Sequence, residues 1–193
     1  MEYHFFAMMS RMKYIERWAL MRNSITENIS EHSLEVSMLA HALAVIGRKR
    51  FGLTIDAEKA AVIGLYHDST EIITGDMPTP IKYYNRDIQG AFKKIEENAA
   101  NQLLSMLPED IREEYVNLFF PTEGEEYLWK LVKAADKLSA LIKCIEESKV
   151  GNLEFARARE SIEEALTEMN LPEVNVFLQE FLPSYHKTLD ELR

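Results

Sequence analysis

Apolar residues recur at helical spacing along almost the whole chain, and no stretch alternates as a half-buried strand would. The pattern predicts a first helix over 2–15 that ends near Trp18. From Ala19 to Ile29 it is irregular, because Asn23, Ser24, Thr26 and Asn28 compete locally for backbone hydrogen bonds. Ser30 suits the N-cap of a second helix, with Glu31 in its first turn and Ile29 and Leu34 placed as a hydrophobic staple. This helix runs through Met38, Leu39, Ala42, Val45 and Ile46 and fails at Gly52. Asp56 caps a third, Ala57 to about Thr74, which Gly75 stops. Pro78 and Pro80 forbid a helix and stiffen an extended loop after it. Further helices are predicted at about 87–106, 109–119, 124–149, 153–169 and 173–192. In the 124–149 helix Leu128, Leu131, Val132, Ala135, Leu138, Ile142 and Ile145 share one stripe, which makes it a central element. The fold class is all-α in one compact bundle.

Composition narrows the function. With 193 residues, 47% of them hydrophobic and 28% charged, the chain can bury a core of its own and is not disordered. The formal net charge of −10 excludes a nucleic-acid polymer as the natural partner, since such binding rests on phosphate neutralisation. A small anion stays possible, and the first 23 residues are locally basic: Arg11, Lys13, Arg17 and Arg22 face only Glu2 and Glu16. The longest apolar run, Ala60 to Tyr66, is far short of the ~20 residues that span a bilayer. Glu2 precedes the apolar Phe5–Met9 stretch, an order wrong for a secretory signal. A single cysteine, Cys144, fits a reducing cytoplasm and packs as a small apolar residue.

Costly polar residues mark where chemistry sits. His67, Asp68 and Glu71 follow the apolar run Ala60–Tyr66, and helical spacing puts Glu71 on the same face as the first two. His32 lies in the first turn of its helix, and Asp136 interrupts the most apolar stripe of the protein. Burying such groups demands a partner or a metal. One divalent cation held by His32, His67, Asp68 and Asp136 would satisfy all four, and two imidazoles with two carboxylates suit Mn²⁺, Co²⁺, Fe²⁺ or Zn²⁺ better than Ca²⁺. The plainer reading is a capped helix end, with Asp136 paired to Lys133 or Lys137. Likewise Arg17 reads as a solvated arginine, Trp18 as core, and Gly75-Asp76 before proline as a turn. His41 lies nine positions after His32, half a turn away, and reads as a surface or packing residue, while His4 and His186 lack acidic ligand partners in their segments.

The ordered set His32, His67-Asp68 and Asp136 resembles the HD-domain metal-dependent phosphohydrolases. Longer strings resemble one branch, the bacterial 5′-deoxynucleotidases: Arg17 to Asn23, Glu27 to Ser33, Tyr66 to Glu71, Thr74 to Lys82, Ala134 to Ala140 and Phe181 to Ser184. One departure is Met77, where relatives often carry leucine. The resemblance implies an HD-domain helical bundle over the whole chain, with the HD core at about 28–145. It also implies a phosphomonoesterase that converts 2′-deoxyribonucleoside 5′-monophosphates to deoxynucleoside and phosphate. In that reading His32, His67, Asp68 and Asp136 hold the metal, Co²⁺ or Mn²⁺ first among candidates that include Zn²⁺, Fe²⁺, Cu²⁺ and Mg²⁺. Glu71 manages a proton and Arg17 clamps the phosphate. Trp18 lines the sugar pocket and excludes a 2′-hydroxyl. Asp76, Met77, Pro78 and Thr79 wall the sugar and base side, with His32, Asp68 and Asp136 also reaching substrate. Relatives are homodimers, for which Phe119 and Phe120 are candidate exposed aromatics. Other hydrolases of the superfamily, acting on deoxynucleoside triphosphates, cyclic nucleotides or alarmones, are the alternative. A helical module with a purely structural metal is another.

Overall fold

The computed structural model describes residues 2–82 and 84–193. Ten α-helices occur among them, and the only strand-like pairing is an isolated antiparallel bridge between Glu16 and Asn28. Two long helices form the frame: α2 (Ile29–Phe51) and α8 (Glu126–Lys149), with α3 (Ala57–Tyr66) laid along both. The main core is built where they meet, from Val36, Leu39, Ala40 and Leu43 of α2, Ala60 and Ile63 of α3, and the α8 stripe. Every residue of the predicted stripe is buried. The helices α9 (Ala156–Glu168) and α10 (Pro172–Glu180) cover the far side through Leu166, Val174 and Phe177.

A second, smaller cluster joins the N-terminal α1 (Phe5–Met9) to α6 (Arg86–Ser105) and α7 (Glu109–Phe119). Phe5, Leu103, Leu104 and Leu107 are buried there. Phe119 and Phe120 pack against them half-buried, so they are not the exposed aromatics expected for an interface.

Several boundaries differ from the sequence expectation, each for a local reason. The cap of α2 is Asn28 rather than Ser30: its side-chain oxygen accepts from the Ser30 and Glu31 amides, and Glu31 accepts the Asn28 amide in return. Ile29 is buried while Leu34 is exposed, so they form no staple. The first helix is short and passes into a 3₁₀ stretch, Ser10–Tyr14. The third does not run to Thr74: it ends at Tyr66, turns through His67–Thr70 and restarts as α4 (Glu71–Thr74). The Ser69 hydroxyl and amide both bond the Tyr66 carbonyl and close that turn. After Pro78 a single helical turn forms, α5 (Thr79–Lys82), because Pro80 within it sits in a first turn that needs no amide donor. The last predicted helix ends at Glu180, and the chain continues as 3₁₀ turns, Leu182–His186 with Pro183 in its first turn and Leu189–Leu192.

One close approach positions the site. At Gly64 a Cβ would lie 2.8 Å from the Ser37 Cα and 3.0 Å from its amide nitrogen, so α3 rests directly on the α2 backbone. His67 follows one turn later.

Candidate metal centre

Four side chains from three elements meet at one end of the α2–α3–α8 frame. His32 stands in the first turn of α2, His67 caps the C-terminus of α3, Asp68 opens the turn after it, and Asp136 lies mid-α8. Ligand atoms of His32, His67 and Asp68 lie within 4.8 Å of one another. Asp136 joins through Oδ1, 3.2 Å from His32 Nε2, while Asp68 Oδ2 is 3.4 Å from that nitrogen and 3.1 Å from His67 Nε2. Side-chain exposure rises from 0% at His32 through 12% at His67 and 21% at Asp68 to 37% at Asp136, so the cluster opens on the α8 side.

The second nitrogen of each imidazole is already committed. His67 Nδ1 donates to the Gly64 carbonyl at 2.8 Å, which leaves the Nε2 lone pair for the cluster. His32 Nδ1 lies 2.9 Å from Ser139 Oγ, and Ser139 donates its own proton to the Glu35 carboxylate at 2.5 Å. The Ser139 oxygen therefore accepts from Nδ1, and His32 also presents a bare Nε2. Both Nε2 atoms are buried without a hydrogen-bond partner among the described residues. Two orphaned imidazole nitrogens facing two carboxylates, each imidazole oriented from behind, fit a divalent transition-metal ion.

The charges fit as well. Burial works against a charged His67, but the adjacent Asp68 outweighs it and pushes the imidazole up to about 9, so a cation bound at Nε2 would displace a proton there and take over its pairing with Asp68. Burial likewise opposes the Asp68 and Asp136 carboxylates. The two imidazoles hold Asp68 well below its usual range, and His32 and His67 hold Asp136 down. Glu71, first residue of α4, is the opposite case: burial, then the charges of Asp68 and Asp76, push it up to about 10. Its Oε2 is buried and without a partner among the described residues.

A second group borders the cluster. Arg17 Nη1 donates to Glu27 Oε2 at 3.0 Å, and the same oxygen accepts the Trp18 indole N–H at 3.1 Å. The Trp18 backbone amide donates to Asp76 Oδ2 at 3.2 Å, and the indole meets Phe155 edge-on with centroids 5.3 Å apart. Burial opposes the Arg17 charge, yet Glu27, Asp136, Asp68 and Asp76 together raise its pKa.

The structure thus brings His32, His67, Asp68, Asp136, Glu71, Arg17, Trp18 and Asp76 to one neighbourhood. Asp136 lies against His32 rather than pairing with Lys133 or Lys137. Glu71 arrives from a new helix and not from a continuous face. Met77, Pro78 and Thr79 lead away from Asp76 into α5, and no hydrogen bond ties their side chains to the cluster among the described residues. His41, His4 and His186 are exposed, and Cys144 is buried, which pushes its thiol up to about 11. Sequence reasoning missed Glu27, Ser139 and Glu35. Glu27 and Ser139 lay inside the strings Glu27 to Ser33 and Ala134 to Ala140, and Glu27 is also an acidic residue in an otherwise neutral stretch between Asn23 and Ser30; Glu35 carried no signal.

A helical frame that presents two histidines and a following aspartate is the mark of the HD class. Solved structures agree on the fold. An HD-domain phosphohydrolase from Listeria innocua superposes with a TM-score of 0.82 at 22% identity, over 94% of this chain and 88% of that one. A cyanophage S-2L HD phosphohydrolase, bound to dA and one catalytic Zn²⁺, gives 0.67 at 22% identity, over 94% and 96%. The model of the family described as 5′-deoxynucleotidase YfbR-like matches residues 4–185, and the chain belongs to that family. A 5′-deoxynucleotidase of Vibrio vulnificus is 49% identical over 99% of this chain and 98% of its own length. Another of Shigella boydii is 46% identical over 98% and 95%.

Proposed function

We propose that this protein is a divalent-metal-dependent 5′-deoxynucleotidase, hydrolysing 2′-deoxyribonucleoside 5′-monophosphates to deoxynucleoside and inorganic phosphate. The observation that carries this reading is the pair of unpartnered imidazole nitrogens facing Asp68 and Asp136, in a chain of the 5′-deoxynucleotidase family. His32, His67, Asp68 and Asp136 would hold the ion. Bound there, it supplies Lewis-acid polarisation of the phosphate and a more acidic water. The mixed nitrogen and oxygen donor set favours Mn²⁺ or Co²⁺.

Arg17 orients the phosphate: Glu27 occupies Nη1, and the rest of the fork is free to meet two phosphate oxygens. Glu71 manages the proton. Held protonated by its surroundings, it donates to the 5′-oxygen as the P–O5′ bond breaks and water adds to phosphorus. Trp18 walls the sugar, and a 2′-hydroxyl pressed against its indole would lose hydration without gaining a partner. Asp76 accepts from the 3′-hydroxyl through the oxygen that the Trp18 amide does not use. Met77, Pro78 and Thr79 border the base and read little of it.

A monophosphate is favoured over a triphosphate because the available cations are few. Among the described residues, Lys82 pairs with Glu96 at 2.8 Å while its charge also reaches Glu71, and Arg22 lies 3.5 Å from Glu154, so Arg17 is the cation under the charges of Asp136, Asp68 and Asp76. No helix among the described residues is long and apolar enough to cross a membrane, and with a lone buried thiol we assign the reaction to the reducing cytoplasm. We assign a homodimer as the working form. The chain exposes 11,660 Å², against about 9,400 Å² for a monomer of this mass, and Leu34 and Met38 stand bare one turn apart on α2.

Phosphate release from a panel of mono-, di- and triphosphates tests the reading, with Mn²⁺, Co²⁺, Zn²⁺ or Mg²⁺ restored to chelated protein. Deoxynucleoside monophosphates should turn over fastest. Faster release from triphosphates would reject the assignment.

A further inference from the structure

We propose that Glu27 is a positioning residue that sets the distance between the phosphate clamp and the sugar wall, and thereby the preference for deoxyribose. This inference rests on the reading of Arg17 and Trp18 given above. One carboxylate oxygen of Glu27 accepts from both of these consecutive side chains, at 3.0 Å and 3.1 Å, and its other oxygen lies 3.8 Å from His32 Nδ1. A single acidic group therefore touches the clamp, the wall and the rear of a metal-facing imidazole. It is shielded, with 13% of its side chain exposed against 11% for Arg17, so the contact escapes the screening that makes surface pairs weak.

The backbone is built to deliver it. Residues 15–29 form a loop closed at its neck by the Glu16–Asn28 bridge, with the Arg17 amide donating to the Glu27 carbonyl at 2.9 Å and the Ile29 amide to the Ile15 carbonyl at 3.0 Å. Directly beyond the neck, Trp18 sits at φ +60, the left-handed region that a bulky residue avoids. Such a conformation persists only where contacts over-determine it. Contacts on every side do so here: Asp76 on the amide, the Met21 amide and the Asn23 side chain on the carbonyl, Phe155 on the indole edge, Arg17 over the ring and Glu27 on the indole N–H. Asp76 and Phe155 fix where the residue is; Arg17 lies over the ring, its Cζ 5.7 Å from the centroid, and Glu27 ties the two together by hydrogen bonds from the indole N–H and from Nη1. Removing the two Glu27 bonds leaves the Arg17–indole pair held only by its own cation–π contact and by Phe155, so both side chains can shift together from the sugar and phosphate while the metal cluster stays intact.

The test uses the full chain, with dAMP and AMP as substrates. Glu27→Gln keeps the shape but weakens both bonds. It should raise KM for dAMP about tenfold, with a smaller change in kcat, and cut the dAMP-to-AMP preference at least about fivefold, at unchanged metal content. Glu27→Asp keeps the charge but withdraws it by one methylene, and should shift the preference in the same direction. A reading without substrate accompanies these. In a Trp129→Phe background, which leaves Trp18 as the sole indole, Glu27→Gln should shift Trp18 emission and increase its quenching by acrylamide. Unchanged preference in both variants, or unchanged Trp18 emission and quenching, would overturn the proposal. The two readings fail differently. Absence of phosphate release from deoxynucleotides by the unsubstituted protein defeats the assigned function, whereas the fluorescence still judges the hold of Glu27 on Trp18.

Discussion

Ser139 shows how much of the site is set by residues that never face it. Its hydroxyl accepts from His32 Nδ1 and donates to Glu35, which fixes the tautomer that bares Nε2. Ser139→Ala should weaken metal binding about 10–100-fold, read as the dissociation constant for Co²⁺ by titration, with little change in melting temperature. Glu71→Ala should instead leave metal affinity and melting temperature near those of the parent and cut kcat by about 10²–10⁴. If turnover survives that substitution, the proton role is wrong. His67, Asp68 and Asp136 were legible because each breaks an apolar pattern where a lone polar group is expensive. Ser139 and Glu35 were not: their partners are 107 and 104 positions away in the chain, and a serine mid-helix carries no local mark.

At the scale of elements, placement depends on two devices. The first is the α2–α3 contact at Gly64, where any side chain meets the Ser37 backbone. Gly64→Ala should displace α3 and with it His67, lowering stability by about 1–3 kcal/mol and metal affinity together, by thermal melting and metal titration. The second is the clamp on the loop that carries Arg17 and Trp18. Glu147 on α8 is buried, accepts the Ser24 and Ile25 amides and the Asn152 side chain, and is paired with Lys143 at 2.5 Å. Burial opposes its charge, but the bonds from Lys143, Asn152 and Ser24 pull its pKa down to about 2. A carboxylate depressed in the folded state adds stability above its unfolded pKa of about 4.3 and loses it as pH falls toward 2. Melting temperature should fall through that window, and Glu147→Ala should cost about 3 kcal/mol at neutral pH by leaving Lys143 buried and unpaired. Helix interiors were legible from periodicity, α8 above all. The break at His67–Thr70 and the single turn at Thr79–Lys82 were not, since both hinge on which backbone groups side chains and prolines satisfy.

For the whole molecule, the net charge of −10 and the site's small cation supply point the same way. This surface repels polyanions, yet its carboxylates gather where a metal would neutralise them and one arginine could greet a single phosphate. The all-α class and the central place of α8 followed from pattern, and a single cation shared by His32, His67, Asp68 and Asp136 was an expectation from costly polar residues and from resemblance; the meeting of α2, α3 and α8 that brings those side chains together required the fold. That convergence is the central claim, and its most direct test is phosphate release from dAMP by chelated protein titrated with Mn²⁺ or Co²⁺. The account predicts activity that is absent without metal, rises to a plateau at about one equivalent per chain, and is lost with the bound ion in Asp136→Ala. Full activity in the chelated protein, or undiminished metal content in that variant, would contradict it.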